Sequence, residues 1–402
     1  ADSAVVREFT DFVRAGGESL RLFATFQAIA EMHANSAWTT WPNALRSAHR
    51  VEVEAFAAQH AGRVRYHEFL QWLCERQLAA TASHARDNGL TLGLYRDLAV
   101  GAAPDGAESW ANAAQLARDV SIGAPPDPLA PAGQVWNLPP PNPLAWQAHD
   151  YAPLREAIAA NMRHAGILRI DHVLGLARLF WVPAGGKAID GAYVEYPSED
   201  LLGHLALQSQ RQQCAVIGED LGTVPDGLRE RLAGNGMLRY QVMLLEREGL
   251  AFKAPTGYSA NAAACASTHD LPPLAGWWQG ADLRERESLG LIAGTEIARQ
   301  LSLRREEKRL LVEAVNAAGI SLHNDMDAPL GADAMAALHA WLARAPSSLR
   351  IAQAEDLALE TVAQNIPGTD RERSNWRRRL PVSVEELFAS AAAQQVLQSL
   401  RA

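Results

Sequence analysis

The stretch GILRIDHVLGL, Gly166–Leu176, decides the fold. Its first half, with Ile167, Leu168 and Ile170, reads as a buried strand. Arg169, Asp171 and His172 are set into that strand and its end, where unpaired charge is costly. Residues i and i+2 of a strand point to the same side, so Arg169 and Asp171 project together. A guanidinium beside a carboxylate favours the ionised acid. The pattern is that of a strand whose end delivers charge into a pocket.

Five more apolar runs end in acids. They are LTLGLYRD to Asp97, CAVIGED to Glu219 and Asp220, LRYQVMLLE to Glu246, AAACASTHD to Asp270, and LRIAQAED to Glu355 and Asp356. Helix-like segments such as YAPLREAIAANMRHAG and DLLGHLALQSQRQQC separate most of them. This alternation predicts a parallel sheet covered by helices. A doubly wound sheet fits it, but polar residues at many strand ends favour a (β/α)8 TIM-type barrel, whose strand ends converge on one catalytic face. A single acid after a strand is more often a helix cap or a surface ion pair. Glu246, followed by Arg247 and Glu248, is assigned that role. The set as a whole points to a site, because caps do not require flanking His and Arg.

Residues 1–90 carry apolar residues at helical spacing in SLRLFATFQAIAEMH and RYHEFLQWLCERQLAATASHARDNG, with Gly89 as a stop. The expected organisation is a helical insertion subdomain over 1–90, then barrel over 91–402. The 402 residues carry a net charge of −9, with 48% hydrophobic and 21% charged residues, the balance of a globular protein. An acidic chain without a basic block argues against nucleic acid or anionic membrane as partner. No apolar run is long enough for a membrane span. Three scattered cysteines fit a reducing, cytoplasmic setting better than a disulfide framework. There is no signal-peptide pattern at the start. The chain opens on Ala1 without a methionine, so a processed or cut chain is expected.

LRIDHVLGLARLFWVP, VIGEDLGTVP, STHDLPPLAGWW and NIPGTDRERSNWRRRL resemble glycoside hydrolase family 77, the amylomaltases or 4-α-glucanotransferases. GLYRDLAVGAAPDGAESW and GAPPDPLAPAGQVW resemble its maltodextrin-using bacterial branch. The matches run in family order from about residue 60 to 385. The resemblance implies retaining transglycosylation on α-1,4-glucans, with maltooligosaccharides as partners. It makes Asp171 the nucleophile, Glu219 the acid/base and Asp270 the stabiliser of the transition state. A nucleophile must stay charged, and a general acid must keep its proton near neutral pH, which an apolar strand end favours. His172 and His269 are implied sugar contacts, and Arg169 and Asp220, in the same motifs, are expected among the substrate-binding residues. The Pro-rich stretch near 123–143 is implied to be a lid loop, with Asp127 and Trp136 touching glucan. Here Pro128-Leu129 stand where many members have aromatics, and Asn137 where a glycine is common. Asn365 is a further binding candidate, and the arginines that follow it are expected to be structural. Trp277 and Trp278 are either a second aromatic surface or ordinary core.

No catalytic metal and no cofactor is expected: there is no H-E-x-x-H motif, and HNDMD at 323–327 is too short for a calcium loop. Against the family barrel, the strand ending at Asp97 corresponds to the third. The expectation is therefore an incomplete barrel without its first two strands, with reduced or no activity in this form. Two alternatives stay open: an α-amylase-like retaining hydrolase, and a glucan-binding fragment without catalysis.

Overall fold

The structure, a computed structural model, describes residues 3–126, 132–369 and 371–401. The chain divides into two compact units, Ala1–Gly236 and Met237–Ala402.

The first unit opens with helices α1 (Ser3–Met32), α2 (Val51–Gln59) and α3 (Ala61–Asp87). α1 is two helices joined at Gly17, whose φ of 53° only glycine adopts freely. Leu22, Phe26, Ile29, Trp41, Val53 and Trp110 form one buried cluster here. Ala24 and Ala28 pack on Val64 of α3. The predicted stop holds: α3 ends at Asp87 and Gly89 follows with φ 80°.

Next come β1 (Leu94–Leu98), α4 (Ala107–Ala111), β2 (Val120–Ala124), β3 (Gln134–Leu138), α5 (Pro143–Ala148) and α6 (Ala152–Met162). The unit closes with β4 (Ala165–Ile170), β5 (Arg178–Pro183), β6 (Ala192–Glu195), α7 (Ser198–Gln212), β7 (Ala215–Gly218) and α8 (Leu228–Gly234). β1, β4 and β7 are parallel neighbours in that order, each separated in sequence by helices. β4 is buried along almost its whole length, as a strand covered on both faces must be. A second sheet is antiparallel, in the order β3-β2-β5-β6. It was not expected, because prolines hide its strands. The stretch expected to be a loop contributes β3 and the end of β2. Gly123 permits their approach: a Cβ there would lie 2.2 Å from the Gln134 carbonyl oxygen.

The second unit contains β8 (Leu238–Val242), β9 (Arg247–Glu248), β10 (Ala251–Phe252), β11 (Ala262–Cys265), α9 (Leu274–Gln279) and α10 (Ala281–Ser288). α11 (Gly294–Ala317), α12 (Ala332–Leu342), β12 (Leu349–Ile351), α13 (Ala354–Leu357), α14 (Val384–Ala389) and α15 (Ala391–Ser399) complete it. β8, β11 and β12 are parallel, with β11 central and wholly buried. Around them Met243, Leu274, Leu311, Met335, Trp341 and Leu342 form the core. Trp277 and Trp278 belong to that core, so they are not a second aromatic surface. No helix among the described residues is long and apolar enough to cross a membrane. All three cysteines are free.

Candidate active site

In the first unit the site is built at the carboxyl ends of β1, β4 and β7. Asp97 of β1 stands in register with Arg169 of β4. Paired residues of parallel strands face the same side, and so do i and i+2 of one strand. Asp97 and Asp171 therefore flank one guanidinium. Arg169 Nη1 donates to Asp97 Oδ1 and Oδ2, both at 2.8 Å, and lies 2.9 Å from Asp171 Oδ1. The Arg169 side chain is 4% exposed, while Asp97 and Asp171 are about one third exposed. Burial works against the arginine's charge, but the carboxylates of Asp171 and Asp97 overcome it and raise its pKa. The anionic face of the site is thus anchored from beneath by a permanently charged side chain.

Glu219 follows β7 directly and is 8% exposed. Its Oε2 accepts from the His172 backbone N–H and its Oε1 from that of Leu221, both at 2.8 Å. Backbone bonds continue the β4–β7 pairing here: Glu219 N–H donates to Ile170 O, and Val173 N–H to Glu219 O. Gly218 keeps this turn tight, since a Cβ would lie 2.9 Å from the Val173 side chain. Burial pushes the Glu219 carboxyl up to about 7, and the negative charge of Asp171 adds to the rise. The two N–H donors and Arg169 oppose it without cancelling it. One carboxyl is thus held on an arginine while its neighbour is kept as an acid, the separation of roles that acid catalysis beside a nucleophile needs.

His172 adopts the left-handed region, φ 46° and ψ 57°, a conformation that costs a non-glycine residue about 1–2 kcal/mol. This strain turns its N–H toward Glu219. Burial lowers the pKa of its ring, against the pull of Asp171, so it is neutral at pH 7, with one donor and one acceptor nitrogen. Trp136 of β3 meets it edge-on, ring centres 5.2 Å apart. Asp220 is different: its carboxylate has no exposed surface and pairs with Arg229 Nε at 2.8 Å. Asp127 lies outside the described residues.

In the second unit the turn after β11 carries Ser267, Thr268, His269 and Asp270. Ser267 Oγ donates to Pro272 O at 2.8 Å, and Asp270 N–H donates to Thr268 Oγ1 at 3.2 Å. His269 Nε2 lies 3.2 Å from Asp270 Oδ2. Asn365 Nδ2 donates to Asp270 Oδ1 at 2.6 Å, which joins a residue 95 positions away to this acid. The late basic run is not wholly solvated. Arg373, 8% exposed, donates from Nε to Glu285 Oε1 at 2.8 Å.

The predicted residues thus fall into two groups. The first unit brings together Arg169, Asp171, His172, Glu219 and Trp136, and the second His269, Asp270 and Asn365. Sequence reasoning noted Asp97 as a strand end but gave it no place in the site, and gave none to Trp376, whose ring lies 5.0 Å from that of His269. Among the described residues no three His, Cys, Asp or Glu side chains are grouped to hold a metal ion.

This arrangement has relatives. The family model described as 4-alpha-glucanotransferase, glycoside hydrolase family 77, matches residues 1–384. The chain is 35% identical to the 4-alpha-glucanotransferase of Haemophilus influenzae over 96% of its own length and 57% of that protein. It is 37% identical to that of Mycobacterium tuberculosis over 96% of its length and 54% of the relative. Among solved structures, amylomaltase from Corynebacterium glutamicum superposes with a TM-score of 0.87 at 31% identity, covering 100% of this chain and 57% of that one. Amylomaltase from Streptococcus agalactiae in complex with acarbose gives a TM-score of 0.78 at 20% identity, over 99% and 74% of the two chains, a likeness of fold. The fold is that of part of a (β/α)8 barrel, and the chain spans little more than half the length of the curated relatives it matches. By the family match and the motifs that carry it, the chain belongs to glycoside hydrolase family 77, the 4-alpha-glucanotransferases.

Proposed function

We propose that this chain is a retaining 4-α-glucanotransferase acting on α-1,4-glucans. In this reading the Asp171 carboxylate attacks the anomeric carbon of the donor sugar. Glu219 gives its proton to the departing glycosidic oxygen, and a glycosyl ester forms on Asp171. Glu219, now a carboxylate, takes the proton from the 4-hydroxyl of an acceptor glucan. That oxygen attacks the anomeric carbon, the ester breaks, and an α-1,4 bond is restored with retained configuration. Asp270 is the third carboxylate, with His269 and Asn365, and its charge complements the oxocarbenium-like transition state. Arg169 holds Asp171, and His172 and Trp136 offer a hydrogen-bonding ring and an aromatic face to the sugar. Asp127 is a further glucan contact, and the segment that includes β2 and β3 is the lid that excludes water from the ester. Asp220 holds the end of β7 through Arg229 and does not touch sugar.

The observation that carries the reading is Glu219: a buried carboxyl holding its proton to about pH 7, bonded to the backbone N–H of His172, the residue that follows the arginine-bound Asp171. Family membership supports it, as does the acarbose complex of the Streptococcus agalactiae amylomaltase. The test is product analysis with maltotriose. Transfer yields glucose together with maltotetraose and longer chains. Glucose and maltose alone identify a hydrolase and overturn the reading. Binding of maltooligosaccharide without any product, unchanged by Asp171→Asn, identifies a non-catalytic binding fragment.

A further inference from the structure

Trp376 is the residue the function above leaves unused. Its side chain is 61% exposed, the most exposed large apolar group in its loop. Its φ is 60°, in the left-handed region that a bulky residue rarely adopts. Such strain persists only where the surroundings over-determine it, and here they do. Trp376 N–H donates to Gln364 O at 3.1 Å. The preceding Asn375 is fixed on both ends of its amide. Its Oδ1 accepts from Ile366 N–H at 3.2 Å and Arg373 Nη1 at 2.8 Å, and its Nδ2 donates to Thr369 O at 3.0 Å and Oγ1 at 2.9 Å. Arg373 also donates to Gln364 O and Ala363 O, and ties the loop to Glu285 of α10. A hydrogen-bonded stretch with a strained backbone at Trp376 therefore presents an indole to solvent. Burying an apolar ring accounts for none of this.

What lies beside the ring identifies the ligand. The indole is tilted by 59° against His269, which pairs with Asp270, whose other oxygen accepts from Asn365. A flat apolar face thus adjoins polar groups that accept and donate. A pyranose presents the complement, with C–H groups on its faces and hydroxyls at its rim. We propose that Trp376 is a specificity-determining residue that stacks on one glucosyl ring of an α-1,4-glucan whose neighbouring ring contacts His269 and Asp270. The assignment rests on the glucan-transferase reading, and it makes chain length matter: an oligosaccharide long enough to cover both platforms binds better than a short one.

The test uses the whole chain with Asp171→Asn to halt turnover, and calorimetric titration with maltoheptaose. Trp376→Gly removes the ring where glycine is at ease, so the fold is kept. Trp376→Phe restores an aromatic face. Trp376→Gly is expected to raise Kd roughly tenfold, the scale of one aromatic contact, and Trp376→Phe to return it to within about threefold. Maltose affinity should change less than maltoheptaose affinity. Unchanged maltoheptaose affinity in Trp376→Gly, or a Phe variant no better than Gly, overturns this assignment alone. No binding by the Asp171→Asn parent overturns it together with the function it rests on.

Discussion

Replacing Glu219 by Gln tests the electrostatics of the site without any substrate. The folded protein raises this carboxyl from its ordinary 4.5 to about 7. Between those values the folded chain holds a proton that the unfolded chain has released. Unfolding then gives up a proton, so stability falls as pH rises through this window and levels off above pH 7. At about 1.4 kcal/mol per pH unit, the rise corresponds to about 3 kcal/mol of stability present at pH 4 and lost by pH 8. Glutamine does not titrate. The difference in unfolding free energy, wild type minus Glu219→Gln, should therefore decline by about 3 kcal/mol across the window. Only this change with pH is diagnostic. The fixed cost of an amide that offers its NH2 to one of the two N–H donors cancels. So does the titration of Asp356, which is identical in both proteins. The assay is urea unfolding followed by tryptophan fluorescence at half-unit steps from pH 4 to 8.5. A difference that stays flat, or rises with pH, refutes the account of Glu219 as a buried acid.

Three further outcomes are expected. Asp97→Asn removes one carboxylate from the buried Arg169, strengthens its hold on Asp171 and blunts the nucleophile. It should lower kcat for maltotriose disproportionation roughly tenfold, about 1.4 kcal/mol, with little change in KM, and an unchanged kcat argues against it. At His172, with φ 46°, glycine relieves strain that alanine keeps. His172→Gly should melt as the more stable of the two variants by about 1 kcal/mol. Asp356 is fully buried, accepts from Leu274 N–H at 2.8 Å, and faces His339 Nε2 at 3.7 Å. Burial pushes its carboxyl up to about 7, so the wild type loses stability as pH rises from about 4 to 7 and levels off above that. Asp356→Asn keeps the Leu274 bond and should gain on wild type as pH rises from about 4 to 7 and hold level above that, with Asp356→Ala about 1–3 kcal/mol less stable than Asp356→Asn throughout. Denaturation across pH decides between them.

What could be read in the sequence was what depends on near neighbours. β4 was visible because Ile167, Leu168 and Ile170 are apolar and adjacent. The shared direction of Arg169 and Asp171 followed from strand geometry alone. Gly89 marked the end of α3. What was not visible depends on pairing across the chain. Asp97 belongs to the site because β1 lies beside β4 in one register, which sets it against Arg169. Arg373 was expected only to be structural, and what it holds could not be read, because its partner, Glu285, is 88 residues away. The hairpin of β2 and β3 was hidden by prolines, whose composition resembles a loop even where the flanking residues pair. Trp376 carries no local signal at all. A tryptophan in the left-handed region is held there by Asn375 and Arg373, and that can be seen only once the loop is folded. Trp277 and Trp278 resolve in favour of burial, since α9 turns both into the core of the second unit.

The division of labour between Asp171 and Glu219 is tested most directly by trapping the ester. An activated donor such as α-maltosyl fluoride needs no acid to expel its leaving group. Glu219→Gln should therefore form the glycosyl ester but turn it over slowly, for want of a base. Peptide mass spectrometry of the quenched protein should find maltosyl on the peptide containing Asp171 and nowhere else. A label on another carboxylate, or fluoride release with no label formed, contradicts the account.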